Sequence, residues 1–281
     1  MKRLIIVIIS IVVLFIIGTL CYNNFIKEKT TSPEANTVIK KVATKPKKEV
    51  KKAETVKWIK QTEPVKIPIL MYHSISTGNS LRVPPAEFKQ QMAFLKEAGY
   101  YTLTPAEMYK AFETNSLPSK KVVLLTFDDG YTDNYTEALP ILAANKQQGT
   151  IFMITDTTGK KNHLTLAQMQ DMIKDNITIE SHTVTHQELN SLKKELQLKE
   201  LSDSKLFIKQ RLKHDSILVS YPVGRYNEDT LAATKEVGYK MAVTTEPGLA
   251  SKADGYFKLK RVRVVPGLSQ ESYQHLIENG L

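Results

Sequence analysis

Two groups of residues in this chain have the types and spacing to do chemistry: Asp128-Asp129-Gly130, and His182 with His186 four residues on. Adjacent carboxylates at the end of an apolar run repel each other and are costly to desolvate unless a metal or a shared proton compensates. The same triplet also suits a type I or I′ turn, so alone it marks either a site or a bend. If the chain passes into a helical turn after its strand, His182 and His186 share one face and can bind one cation. With a single carboxylate they make a two-histidine, one-carboxylate set that leaves positions open for water and substrate.

Residues so far apart need a frame to bring them together. Short apolar runs at Ile67–Tyr72, Val122–Phe127, Thr150–Ile154, Ile177–Glu180, Ile217–Tyr221, Met241–Thr244 and Leu259–Val265 read as strands. Amphipathic stretches alternate with them: Pro85–Ala98, Pro105–Phe112, Thr136–Lys146, Leu166–Lys174, Leu192–Leu212 and Glu228–Val237. This alternation predicts an α/β fold, a distorted or incomplete (β/α) barrel of about seven parallel strands. No Gly-rich phosphate loop follows any strand, which disfavours a doubly wound nucleotide fold. In a parallel barrel the chemistry gathers at the C-terminal strand ends. His73, Asp128-Asp129, the segment from Ser181 to His186, and Pro222-Val223-Gly224 all stand there.

Thr126-Phe127-Asp128-Asp129-Gly130 and His182-Thr183-Val184-Thr185-His186 together resemble the first two motifs of the polysaccharide deacetylases, the NodB-homology or carbohydrate esterase family 4 enzymes. The resemblance runs from Ile67 to about Val265. It implies that Asp128 is the catalytic base and that Asp129, His182 and His186 hold one divalent metal, usually zinc. It also implies an oxyanion-binding backbone N–H at Val223, within Tyr221-Pro222-Val223-Gly224. The chemistry agrees: a cation acidifies water, a carboxylate takes its proton, and an N–H stabilises the developing oxyanion.

Two departures from the family pattern stand out. Ser220 occupies the place where the third motif has an arginine that orients the catalytic aspartate. Arg261 and Arg263, on one parity of the run Leu259–Val265, are candidates for the missing cation; surface charge is the alternative. The late Leu-x-His motif that carries the general acid is also absent. Leu70-Met71-Tyr72-His73 resembles that motif moved to the front, as in the branch acting on poly-β-1,6-N-acetylglucosamine. His73 is then the general acid, with a buried structural histidine as the alternative. His275 lies in a helix-like stretch and is expected to be exposed; His163 and His214 sit in polar surroundings that demand no role.

Ahead of Ile67 the composition changes. Leu4–Cys21 carries no charge and is almost wholly aliphatic and aromatic, long enough as a helix to cross a hydrocarbon core of roughly 30 Å. Residues 1–26 are read as an uncleaved membrane anchor, because Leu20 before Cys21 suits neither a signal-peptidase nor a lipoprotein site. Secretion after cleavage is the alternative. Cys21 is the only cysteine, so the chain can form no internal disulfide. Residues 27–66 are Lys-rich and low in hydrophobic content, a disordered linker in expectation. Lysines 27–66 outnumber glutamates there by twelve to five, and with Lys2 and Arg3 they account for nine of the ten net positive charges. The domain 67–281 is therefore almost neutral, which argues against a nucleic-acid partner.

The combined expectation is a single-pass protein with its catalytic domain outside the cell membrane. It hydrolyses carbon–nitrogen bonds other than peptide bonds, removing N-acetyl groups from an N-acetylglucosamine polymer. Poly-β-1,6-N-acetylglucosamine is favoured, peptidoglycan is the runner-up, and an inactive glycan-binding or adhesion protein is the reading from another class.

Overall fold

The run Val122–Phe127 is buried at all six positions, as befits a strand covered on both faces. It is the second of seven parallel strands: β1 (Ile69–Tyr72), β2 (Val122–Phe127), β3 (Gly149–Met153), β4 (Ile177–Ser181), β5 (Leu218–Ser220), β6 (Met241–Pro247) and β7 (Leu259–Arg263). The computed structural model describes residues 57–281. Each strand pairs with the next in sequence, and β7 returns to pair with β1. The sheet thus closes into the barrel expected from the alternating pattern.

Parity along the strands sorts the core. Ile69, Leu124, Phe152, Leu218, Val243 and Leu259 pack together inside the barrel. Helix α2 (Pro105–Thr114) joins that cluster through Met108, Ala111 and Phe112. Their strand neighbours Leu70, Val123, Leu125, Ile151 and Val262 face outwards, where α1 (Pro85–Glu97), α3 (Leu139–Asn145), α4 (Leu166–Lys174) and α7 (Gln270–Asn279) cover them. Val219, Tyr221 and Ala242 are covered by α5 (Lys194–Leu212) and α6 (Glu228–Val237). Pro at the first helical position starts α1 and α2, and capping boxes at Thr104, Thr165 and Asn227 start α2, α4 and α6.

Four features differ from the sequence expectation. An extra short strand, Tyr101–Thr102, pairs with the first half of β2. Two residues carry too little periodicity to register as a strand. Residues Ile59–Lys60 and Lys66–Ile67 pair antiparallel with Ser116–Leu117 and Ala250–Ser251, so the folded unit begins ahead of the expected boundary at Ile67. Trp58 packs there, with Lys110 Nζ 4.1 Å from its ring centre. The helix expected at Thr136–Lys146 starts earlier, as a π-turn over Asn134–Ala138 that runs into α3. Finally, His182–His186 is not helical. Among the described residues no helix is long and apolar enough to cross a membrane. The anchor 1–26, with Leu4–Cys21, and the linker up to residue 56 lie outside the described residues.

Candidate active site

Asp128 and Asp129 follow the last residue of β2, where a continuing strand would send successive side chains to opposite faces. Asp129 instead takes φ 73° and Gly130 φ 73°, which breaks the alternation. Both carboxylates consequently face one imidazole: His182 Nε2 lies 3.9 Å from Asp128 Oδ2 and 3.5 Å from Asp129 Oδ1. A side chain at Gly130 would meet the flexible Met153 side chain, Sδ at 2.2 Å, and it is the left-handed backbone that calls for glycine there.

His182 and His186 meet by a different route from the expected helical turn. Thr183 and His186 both take left-handed backbone, φ 63° and 61°, unusual for a β-branched residue in particular. Glu200 on α5 holds this loop, accepting from the Val184 and Thr185 N–H groups at 2.9 Å each and from the Thr185 hydroxyl at 2.7 Å. The two imidazole rings end 4.7 Å apart, nearly edge to face. His186 Nε2 is 3.6 Å from Asp129 Oδ1, and one ligand atom each from Asp129, His182 and His186 lies within 4.8 Å of the others.

These residues fit a divalent cation. Separations of 3.5 and 3.6 Å are close to the edge of a tetrahedron whose ligands stand about 2.0–2.1 Å from a zinc-sized ion. His182 Nδ1 lies 2.7 Å from Ser220 O; since a carbonyl only accepts, Nδ1 carries the proton and Nε2 keeps its lone pair. Burial pushes the His182 imidazole below its ordinary pKa, against the pull of Asp128 and Asp129, which favours the neutral form a ligand needs.

Asp128 is not free to join that set. Arg261 grips it with both arms, Nη1 to Oδ1 at 2.8 Å and Nη2 to Oδ2 at 2.7 Å. Arg261 rises from β7 inside the barrel, and its Nε donates to Thr244 O on the intervening β6 at 2.7 Å. Ser220 is small enough to leave room, and its hydroxyl accepts from Arg261 Nη2 at 3.1 Å. Burial alone would raise the Asp128 pKa; the Arg261 guanidinium, followed by His182 and His73, holds it well below the usual carboxylate range. Arg263, two residues further along β7, is exposed and forms no ion pair among the described residues.

His73, one residue past β1, puts Nε2 3.9 Å from Asp128 Oδ2. Burial is the largest influence on its pKa and lowers it; Asp128 pulls the other way, while Arg261 and Arg263 add to the lowering. Val223 stands in the short turn Pro222–Gly224 after β5 with φ 55°, another β-branched residue in left-handed backbone. The turn is closed by Gly224 N–H to Tyr221 O and Arg225 N–H to Pro222 O, which leaves the Val223 N–H out of both bonds. Tyr221 is buried, its hydroxyl 3.0 Å from Thr234 Oγ1, and Pro222 is buried beside it, so both support the turn from below.

The barrel therefore brings His73, Asp128, Asp129, His182, His186 and Arg261 together and leaves Arg263 outside. His275 is exposed on α7. His163 stacks on Tyr131, ring centres 5.4 Å apart. His214, whose polar surroundings demanded no role, donates from Nε2 to the fully buried Glu180 Oε1 at 3.0 Å. Glu200 was not foreseeable, since nothing separates it from the other acidic residues of its helix.

The chain is similar to known deacetylases over most of the described residues. Residues 115–242 match the family described as polysaccharide deacetylase. YxkH of Bacillus subtilis (strain 168), provisionally named a polysaccharide deacetylase, is 50% identical over 229 residues, covering 82% of this chain and 82% of its own length. The poly-β-1,6-N-acetyl-D-glucosamine N-deacetylase of Staphylococcus aureus (strain MRSA252) is 25% identical over 226 residues, 75% of this chain and 76% of that one. Among solved structures, the Streptococcus pyogenes deacetylase PplD in complex with acetate matches with a TM-score of 0.74 at 40% identity. That match spans 76% of this chain and 99% of PplD.

Proposed function

The chain belongs to the polysaccharide deacetylase family, an enzyme acting on N-acetyl groups, and on that premise we propose how its residues divide the work and on which polymer. Asp129, His182 and His186 hold one divalent cation, zinc by ligand type. What such a cation supplies there is Lewis acidity, making water easier to deprotonate and an acyl oxygen readier to take up charge.

Asp128 stays ionised at neutral pH under the Arg261 clamp and accepts the proton of the attacking water. The clamp fixes its orientation and weakens its basicity together, so it suits a proton donor that is already strongly acidified. Val223 N–H donates to the acyl oxygen as negative charge builds on it. His73 Nε2 delivers a proton to the sugar nitrogen as the carbon–nitrogen bond breaks, releasing acetate and an amine. With its pKa lowered by burial, the cationic form of His73 is a stronger acid than an exposed imidazolium and a smaller fraction at neutral pH.

The favoured substrate is poly-β-1,6-N-acetylglucosamine. Its support is the position of Leu70-Met71-Tyr72-His73 ahead of Asp128, together with the similarity to the Staphylococcus aureus enzyme. The apolar segment Leu4–Cys21 would anchor the chain with its domain outside the membrane, where such a polymer lies. The observation that carries the reading is the separation of the two carboxylates, Asp128 on a guanidinium and Asp129 between two imidazoles.

Acetate release from β-1,6- and β-1,4-linked N-acetylglucosamine oligomers, before and after chelation, tests it. Chelator-sensitive release with preference for the β-1,6 series is expected. Preference for β-1,4 oligomers would move the substrate to wall-type glycan, and no release from either by the metal-loaded protein would leave a glycan-binding protein.

A further inference from the structure

We propose that Asp133 and Asn134 are positioning residues that hold His73 at the reacting centre. The inference rests on the reading of His73 as the general acid.

His73 stands where β1 has ended and the chain departs into the loop 74–84. The last rung of the ladder is the Asp128 N–H to Tyr72 O bond, 3.0 Å. Beyond it the loop bonds to itself, Ser74 N–H to Leu81 O and Val83 N–H to Ser74 O. An acid on such a segment would drift relative to the base unless something tied it back. The tie comes from two consecutive residues just past the acidic motif. Asn134 Nδ2 donates to His73 O at 2.8 Å. Asp133 Oδ2 accepts from the Ser74 hydroxyl at 2.5 Å, and its Oδ1 from the Ile75 N–H at 2.9 Å. Three successive residues, His73, Ser74 and Ile75, are thus each held by the segment that also carries Asp128 and Asp129.

Neither side chain is explained by local needs. Asp133 makes no ion pair among the described residues and spends both oxygens on Ser74 and Ile75, with a longer 3.3 Å contact to Asn134 Nδ2. Asn134 is fully buried, and its Oδ1 has no hydrogen-bond partner among the described residues. A buried amide with an orphaned carbonyl is a poor way to stabilise a fold. Here its donor end reaches the one backbone carbonyl that sets where His73 sits. Asn134 also opens the π-turn Asn134–Ala138, a widened turn of the kind that recurs at functional sites and that sets where this residue stands.

The leaving group distinguishes a brace for the acid from a general structural prop. Release of a sugar amine needs a proton, whereas release of 4-nitrophenolate from an aryl acetate does not. The test compares Asp133→Ala, the near-isosteric Asp133→Asn and Asn134→Ala with His73→Ala as reference, on an N-acetylglucosamine oligomer and on 4-nitrophenyl acetate. The expected result is that the alanine variants lose about 10²-fold in kcat on the oligomer, the cost of a misplacement of roughly 1 Å. KM, bound metal and aryl-ester turnover stay at the parent level, and Asp133→Asn falls between parent and alanine. Equal losses on both substrates in the folded Asp133→Asn protein, or no loss on the oligomer in any variant, would overturn the brace. If His73→Ala itself spares the oligomer, the acid assignment fails first and the brace with it; a selective His73→Ala beside unselective Asp133 variants sinks the brace alone.

Discussion

Arg261 and Asp128, 133 positions apart in the chain, meet in a two-pronged ion pair buried inside the barrel, with nitrogen–oxygen distances of 2.7 and 2.8 Å. The pair stands where Ser220 leaves space that a longer side chain would fill. A guanidinium from β7 therefore reaches the same carboxylate that the family pattern serves with an arginine on the strand of Ser220. A planar fork fits both oxygens at once, so orientation and charge are supplied by one group.

Removing the fork exposes its electrostatic role. In Arg261→Met, burial becomes the dominant influence on Asp128 and its pKa rises, so the ionised form is lost at higher pH than in the parent. The acid limb of kcat/KM is expected to move up by roughly 1–3 pH units. Unfolding at pH 7 should show a cost of about 3–5 kcal/mol for the unpaired charge, less whatever Asp128 recovers by protonation. An unshifted acid limb would show that Asp128 is not the group titrating there.

The proposed base and ligand roles separate by substitution. Asp128→Asn is expected to lower acetate release by about 10²–10⁴-fold while metal content stays at the parent level. Asp129→Asn is expected to lose metal and activity together. Elemental analysis of the purified variants beside the activity assay distinguishes the two outcomes, and metal loss in Asp128→Asn would assign that carboxylate to the cation.

Cation binding should also register in stability. A ligand at 100 times its dissociation constant stabilises the folded state by about 2.7 kcal/mol. Zinc added to the chelated parent is therefore expected to raise Tm by several degrees. The same addition to His182→Gln should leave Tm unchanged. A shift of equal size in that variant would place the ion elsewhere.

The turn that carries Val223 depends on Gly224. It takes φ 72°, and a side chain there would meet Thr245 Oγ1 at 2.2 Å and Thr245 N at 2.5 Å. Gly224→Ala is expected to displace the Val223 N–H and lower kcat by about 10²–10³-fold, the usual cost of one oxyanion donor. Far-UV circular dichroism and metal content should match the parent, since the turn lies at the surface. Parent-like kcat would remove Val223 from the reacting centre.

His214 and Glu180 give a stability that depends on pH. The hydrogen bond to Glu180 raises the His214 pKa, opposed by partial burial. The pair's contribution is accordingly complete below the ordinary histidine pKa of about 6.5 and is lost as pH rises through the raised folded value. His214→Gln is expected to lower Tm more at pH 6 than at pH 9. Because His214 is partly open to solvent, the difference should be a few degrees at most. An equal loss at both pH values would mean that the charge on His214 contributes nothing.

Much of this protein was written locally in its sequence. Period-two and period-3.6 apolar patterns depend on residues a few places apart, so β2, α4 and α6 appear where the sequence puts them, at Val122–Phe127, Leu166–Lys174 and Glu228–Val237. Asp128, Asp129, His182 and His186 were marked by their position at strand ends, and parallel connections bring such ends to one rim. The tertiary structure decided what no local pattern contains. Arg261 and Arg263 share parity, and only the register of β7 and the depth of the barrel put Arg261 on Asp128 and Arg263 in solvent. The His182–His186 spacing suggested a helix, yet Glu200 on α5 holds it as an irregular loop. Asp133 and Asn134 look like ordinary turn residues until the β1–β2 pairing sets His73 beside them. Side-chain partners across strands depend on register, tilt and closure of the whole sheet, which is why candidate residues could be listed from sequence while the choice of Arg261 over Arg263 and the contacts of Glu200, Asp133 and Asn134 waited for the fold.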